Sequence, residues 1–528
     1  MLLRPIYKPF SILYGITAVL SITISGCMVG PDFRRPDVAV SSTWIESGDK
    51  RVKSETGDYR NWWRTFNDPV LNKLIDRAYD ENLSLKIAGV RVIEARAQLG
   101  IVAGRFYPQT QQASGSLDHR RTSRSSAQAF PPFEFIEDQI AVSASWELDF
   151  WGKFRRAIES ASATWLATAA DYDNALVSLT ADVADSYINV RTLEKRIGIA
   201  RQNIETQEES LKIAEARFRF GAASQLDVEQ ARTELNNTLA SLPALETQLR
   251  QQKDALCVLL GMAPNDLADL LKGSSEIPVS PPEVTVGIPA DLLRRRPDIR
   301  SAEYQAVAQS AQIGVAKADL YPALSLSGNF GFLSSNAGQS SLGDIFQWKS
   351  RTYQIGPAFQ WNIFNYGQIR NNVRFQDAKL QELLLTYQNT VLKAQQDVED
   401  NLAAFLLAQE RASFLAQSAE AARSSFDLAV KQYREGIKDF TAVLLAQQSL
   451  LSEQDNLAST LGSISVNLVG VYRALGGGWE IRDREELVPP SVKDEMEKRT
   501  DWGSLLAPAS YNPPAGKGPE SSPRLPDW

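Results

Sequence analysis

Histidine and cysteine are almost missing from this sequence. Its 528 residues include one histidine, His119, and two cysteines, Cys27 and Cys257. That scarcity excludes a disulfide framework, a His-based catalytic triad and a His/Cys metal cluster. No metal site, cofactor or catalytic residue is expected, and the chain is not read as an enzyme. An excess of positive charge is also missing: 56 Lys and Arg stand against 63 Asp and Glu, a net charge of -7, with no basic stripe for nucleic acid. Beyond residue 27 there is no long apolar run. The longest uncharged stretch, residues 320–343, is full of Ser, Gly and Asn, whereas a membrane-spanning helix needs about 20 mainly apolar residues. Any spanning after residue 27 falls to strands.

What is present begins with an address. Residues 1–26 carry Arg4 and Lys8, no acidic residue, and an apolar run over about 10–24, the layout of a secretory signal. The run ends Ile24-Ser25-Gly26-Cys27, which resembles the bacterial lipobox, where cleavage exposes a cysteine for diacylglyceryl modification. Met28 is not acidic, and in lipoproteins this favours the outer membrane.

The rest is one unit written twice. Trp146, Gly152, Arg155, Tyr172, Gly221 and Gly261 match Trp361, Gly367, Arg370, Tyr387, Gly436 and Gly476 at a constant offset of 215. Upstream, at an offset of 214, Gln98-Leu99-Gly100 and Tyr107-Pro108 match Gln312-Ile313-Gly314 and Tyr321-Pro322. Each half reads as helix, strand, strand, long helix, tight turn, long helix. Residues 368–435 contain no Gly or Pro, 68 positions in all, so the helix there is about 100 Å long at 1.5 Å per residue. Tyr387, Val391, Ala394, Val398, Leu402, Phe405, Phe426, Ala429 and Tyr433 fall on a seam with steps of three and four, the pattern of a coiled coil. Its counterpart covers about 153–220, and return helices cover about 224–260 and 439–475. The domain layout is 1–26 signal, 27–69 acylated linker, 70–264 first repeat, 265–290 connector, 291–478 second repeat and 479–528 Pro-rich tail.

Between the helices, apolarity alternates with period two. Ile140, Val142, Ala144, Trp146 and Leu148 share one face; so do Tyr353, Ile355, Phe359, Trp361 and Ile363. Partner strands fall at about 107–117 and 324–332. Their length suits transmembrane β-strands, although alternation alone fits a soluble hairpin equally well. Four strands leave open edges, and unpaired backbone in lipid costs several kcal/mol per group. Three copies would close a twelve-stranded barrel on a twelve-helix tube.

The run Pro289-Ala290-Asp291-Leu292-Leu293-Arg294-Arg295-Arg296-Pro297-Asp298-Ile299-Arg300, then Gln312-Ile313-Gly314-Val315-Ala316-Lys317-Ala318, Tyr321-Pro322, Gly30-Pro31-Asp32-Phe33 and Trp146-Glu147-Leu148-Asp149-Phe150-Trp151-Gly152, resembles the lipoprotein outer-membrane factors, NodT-type, of resistance-nodulation-division efflux systems. The resemblance covers about residues 27–477. It implies a mainly α fold with a β part: a TolC-like homotrimeric channel-tunnel, acylated at Cys27, lodged in outer-membrane lipid and projecting into the periplasm. It also implies two partners, a periplasmic adaptor (membrane fusion protein) and an inner-membrane pump. The turns Phe220-Gly221-Ala222 and Glu435-Gly436-Ile437 would meet the adaptor. By the same resemblance Asp227, Tyr433 and Lys438 would form a gate link, with Lys438 in place of the commoner arginine, which loses the bidentate fork. Asp227 with Ser224 also reads as a simple helix cap, Tyr433 as a seam residue and Lys438 as solvated. Where relatives carry a lumenal aspartate, this chain has Ala442 and Leu445, so Phe440 and Leu445 become candidates for an apolar constriction.

Other readings stay open on the sequence: a type I protein-secretion channel, a coiled-coil adhesin or scaffold, and a lipid-anchored periplasmic enzyme. His119 reads as part of an external loop, Cys257 as a core thiol, and the tail as lying along the outside or disordered.

Overall fold

Both halves of the chain share the series helix, strand, strand, long helix, returning helix, and the first has one more helix in front, in a computed structural model that describes residues 28–55, 57–125, 134–337, 341–482 and 486–507. The expected signal and Cys27 lie outside the described residues. The first half has α1 (Pro69–Glu81), α2 (Leu83–Gly104), β1 (Thr110–Arg121), β2 (Glu134–Leu148), α3 (Lys153–Arg219) and α4 (Gln225–Leu259). The second has α5 (Pro297–Ala318), β3 (Ala323–Ser335), β4 (Arg351–Gln360), α6 (Gln368–Arg434) and α7 (Phe440–Ala474), followed by α8 (Pro490–Arg499). α3 and α6 are both 67 residues long, and α4 and α7 both 35. The offset of 215 is thus a structural identity, extending to the turn glycines Gly221 and Gly436 at φ 72° and 76°. There the Ala222 and Ile437 amides donate back to the Arg217 and Gln432 carbonyls at 2.8 and 2.9 Å. This C-terminal closure needs a left-handed residue, and glycine adopts that conformation without a Cβ penalty.

The two short helices of each repeat stack end to end beside the long ones. Asn82, which caps α2, donates to the Leu259 carbonyl at the end of α4 at 2.9 Å. At the equivalent place Arg296, just before α5, donates to the Ala474 carbonyl at the end of α7 at 3.0 Å. α7 packs between α3 and α6 in the lower half, and α5 between them in the upper half. The expected seam is buried or half-buried throughout. α3 is buried along most of its length, whereas α6 packs mainly on α5 and α7. It leaves Phe375, Leu385, Leu392, Leu407, Phe414 and Leu428 exposed.

The strands form one antiparallel sheet in the order β1-β2-β3-β4, with an unpaired edge on β1 and another on β4. Register gathers the apolar positions on one face: Val142 sits opposite Phe330, Phe330 opposite Tyr353, Trp146 opposite Leu326 and Leu324 opposite Phe359. The other face brings Gln112, Ser143, Asn329 and Gln354 into line. Three corrections follow. Trp361 and Ile363 lie past the end of β4, β1 starts at Thr110, and His119 is paired within β1 opposite Ile136 instead of lying in a loop. Trp361 instead pins the helix–strand junction, donating to the Leu320 carbonyl at 3.0 Å, as Trp146 does to Phe106 at 3.0 Å.

A belt packs against the middle of the helices. Residues 28–55 and 57–68 form a strap that runs along α3, α5 and α6. Val29 donates to the Trp151 carbonyl at 3.1 Å, Arg156 holds Asp32 at 2.7 Å, Arg35 makes a two-pronged bond to Glu303 at 2.7 Å, and Ser41 and Ile45 donate to Gln395 and Glu399 on α6. Gly30 crosses α5 against Gly314 so closely that a Cβ would overlap the opposing backbone. The tail joins the belt: Val488, Met496 and Leu506 are buried in the core, and Arg96 of α2 holds the Leu505 and Ala507 carbonyls at 2.7 and 2.8 Å. Its described part is packed structure, and residues 508–528 lie outside the described residues.

Candidate functional site

The ends of the long helices form a separate small core. Ala214, Val228 and Ala231 of the first helix pair pack with Phe426, Ala429, Tyr433, Phe440 and Val443 of the second. Ser224 caps α4 by accepting from the Asp227 amide at 3.3 Å, and its hydroxyl donates to the Asp227 carboxylate at 2.9 Å. Asp439 caps α7 through the Ala442 amide. Asp227 therefore acts first as part of a helix cap. It also faces Tyr433, whose buried hydroxyl has no well-formed hydrogen bond among the described residues. Burial first, and the Asp227 carboxylate second, hold the Tyr433 pKa above its ordinary value.

One gate expectation needs correcting, and another is not met within a single chain. Lys438 is exposed and makes no ion pair among the described residues, so the single chain brings together Asp227 and Tyr433 and leaves Lys438 apart. Phe440 is 1% exposed and packs edge-on to Tyr433 at 5.4 Å; it is core, not a constriction. Helical spacing with Val443, Ala446 and Leu450 puts it on the buried face. Leu445 falls off that face and is 60% exposed.

The residue the sequence reading missed is Arg217, in the last turn of α3. It donates to the Tyr433 and Arg434 carbonyls at 2.6 and 3.0 Å and to the Ala222 carbonyl at 3.2 Å, and its guanidinium lies over the Tyr433 ring at 4.8 Å. One side chain thus ties both turns, and a cation suits the carbonyl-rich end of a helix. The only signal in the sequence was a basic residue in the final helical turn. Arg217→Ala is expected to remove about 1–2 kcal/mol of local stability, read as roughly tenfold faster amide exchange at residues 433–438. Unchanged exchange would show that the clamp holds nothing. Beyond the clamp, the tips present Phe220, 87% exposed, and Ile437, 65% exposed. Gly221, Ala222, Glu435 and Gly436 are exposed between them.

Comparison with known proteins matches these two repeats. The family model described as outer membrane efflux protein matches residues 74–262 and 288–477. Nodulation protein T of Rhizobium leguminosarum bv. viciae is 31% identical over 464 residues, 88% of this chain and 93% of that protein. The pyoverdine export outer membrane protein OpmQ of Pseudomonas aeruginosa is 33% identical over 445 residues, 82% of this chain and 90% of that one. Among solved structures, the outer-membrane channel OprN superposes with a TM-score of 0.79 at 33% identity, covering 86% of this chain and all of that one. The Campylobacter jejuni CmeC outer membrane channel gives 0.77 at 25% identity, covering 89% and 98%.

Proposed function

Since the chain belongs to the outer membrane efflux protein family and is the outer-membrane channel of a tripartite efflux pump, we propose that three copies close its sheet and helices into one continuous exit duct. The observation that carries this reading is the open sheet. Its apolar face spans β2, β3 and β4, and its two unpaired edges cannot remain bare in hydrocarbon. β4 of one copy meets β1 of the next, giving twelve strands, inside the size range of known barrels. The exposed apolar residues of α6 are covered by the same neighbour. Substrate passes along the polar face of the sheet and the inside of the helices without expenditure of fuel by this chain. Detergent-resistant trimers with ion conductance in planar bilayers are expected, and a purified protein that is monomeric and non-conducting would overturn the reading.

Cys27 is the acylated residue. Met28, its neighbour, packs on Gly152 at the junction of β2 and α3, where barrel meets tube. An acyl chain starting there reaches the inner leaflet, and each buried CH₂ adds about 0.8 kcal/mol of membrane affinity. Cys27→Ser is expected to abolish palmitate labelling; label that persists would refute this assignment. The tips carrying Phe220 and Ile437 dock the periplasmic adaptor, and the inner-membrane pump delivers substrate through it. Asp227, Tyr433 and Arg217 brace the closed mouth, and Leu445 narrows it. Lys438 takes part only through a neighbouring copy.

A further inference from the structure

A polar hollow of about 470 Å³ lies at the joint of α7 with α5, walled by Asn174, Ser178 and Asp185 of α3, Asp397 of α6, and Arg296 and Arg473. On α3 the residues Asp171, Asn174, Ser178, Asp182 and Asp185 recur at helical spacing. They lie opposite Tyr172, Leu176, Thr180, Val183 and Tyr187, which are buried toward the belt. α6 divides in the same way: Gln395 and Glu399 hold the strap, while Lys393 and Asp397 lie on the other side. In the proposed duct, with the belt on its outer side, the hollow opens on the interior of the tube.

Its cations are already committed. Arg296 donates to Asp298 at 3.0 and 2.7 Å and to Asp397 at 3.2 Å, and Arg473 donates to Asp182 at 3.0 Å. Asp185 is left out, with its Oδ1 buried and without a hydrogen-bond partner among the described residues. Burial pushes its carboxyl up to about 7 against the attraction of Arg473. A buried carboxylate oxygen with no partner is costly, and an entering cation relieves that cost. The volume falls in the range of small-molecule sites.

We propose that this hollow is a transit site for small organic cations, in which a protonated amine donates to the Asp185 carboxylate and Asn174 and Ser178 line the remaining wall. The inference rests on the duct reading, because only that reading makes the hollow part of a passage. The test is fluorescence anisotropy of purified wild-type trimer with dansylcadaverine, a protonated amine, and with dansylglycine, an anion bearing the same fluorophore. Dansylcadaverine is expected to bind at least tenfold more weakly to Asp185→Asn, and dansylglycine is expected to show no dependence on Asp185. Equal dansylcadaverine affinity in wild type and Asp185→Asn would overturn the site. Should Asp185→Asn fail to assemble, Ser178→Leu, which fills the hollow, must give the same loss; wild-type binding in that variant would also overturn it. Conductance of the same trimers in bilayers separates the two failures. A non-conducting wild type sinks the duct, whereas a conducting trimer that binds the amine regardless of Asp185 sinks only the site.

Discussion

Replacing Asp173 with alanine is expected to cost about 3–5 kcal/mol, the loss that follows when one partner of a buried ion pair is removed. Asp173 lies on α3 and is fully buried. Arg482, beyond α7, reaches its Oδ1 with Nε at 2.8 Å and donates to Oδ2 at 3.2 Å. Arg300 of α5 approaches Oδ2 at 3.5 Å and lies over the Trp479 ring. One carboxylate therefore joins α3, α5 and the start of the tail, and alanine would leave two guanidiniums facing each other out of water. Melting of the trimer should fall by several degrees; a shift below one degree would refute the role. The pH dependence has a definite sign. Burial, opposed by the two arginines, raises the Asp173 carboxyl to about 6. The folded chain keeps this proton where the unfolded carboxyl, near 4, has lost it. The group's contribution to stability therefore declines as pH rises from about 4 to 6 and is flat above. Asp173→Asn should remove that slope.

The double substitution Phe220→Asp with Ile437→Asp is expected to abolish pump assembly while leaving the trimer intact. Both side chains project from the tips of the helix pairs into solvent, so the fold loses nothing when they change. On the adaptor reading they are the apolar anchors of docking, and truncating such anchors costs about 2 kcal/mol or more each. Across three copies the loss is ample to prevent assembly. Cells carrying the variant should retain a pump substrate as a deletion strain does. Wild-type efflux at wild-type protein level would show that docking lies elsewhere.

Much of this architecture was legible because it is written in local patterns. α6 follows from a stretch without Gly or Pro, α3 from its match to α6 at an offset of 215, the turns from Gly221 and Gly436, and the sheet faces from period-two alternation. What was not legible depends on contacts between distant parts of the chain. Arg217 meets Tyr433 across 216 positions and Arg96 meets Leu505 across 409, and neither pair announces itself in composition. Composition left the tail open between lying along the outside and disorder, because it is polar and Pro-rich; a few apolar residues, Val488, Met496 and Leu506, suffice to seat its described part. Phe440 misled for a different reason: its nearness to the turn suggested an opening, whereas its register with Val443 commits it to the core. Asp185 was overlooked because one aspartate among many carries no mark of its surroundings.

The stacking of α4 on α2 and of α7 on α5 has a mechanical result. Going across one chain, spliced staves alternate with unbroken ones: α4 with α2, then α3, then α7 with α5, then α6. A splice has no continuous backbone ladder across it, only side-chain bonds such as those of Asn82 and Arg296. Only α3 and α6 therefore offer a continuous backbone path from the helix tips to the strands. At mid-height the other two staves resist twisting through side-chain bonds and packing in place of a helix's own ladder.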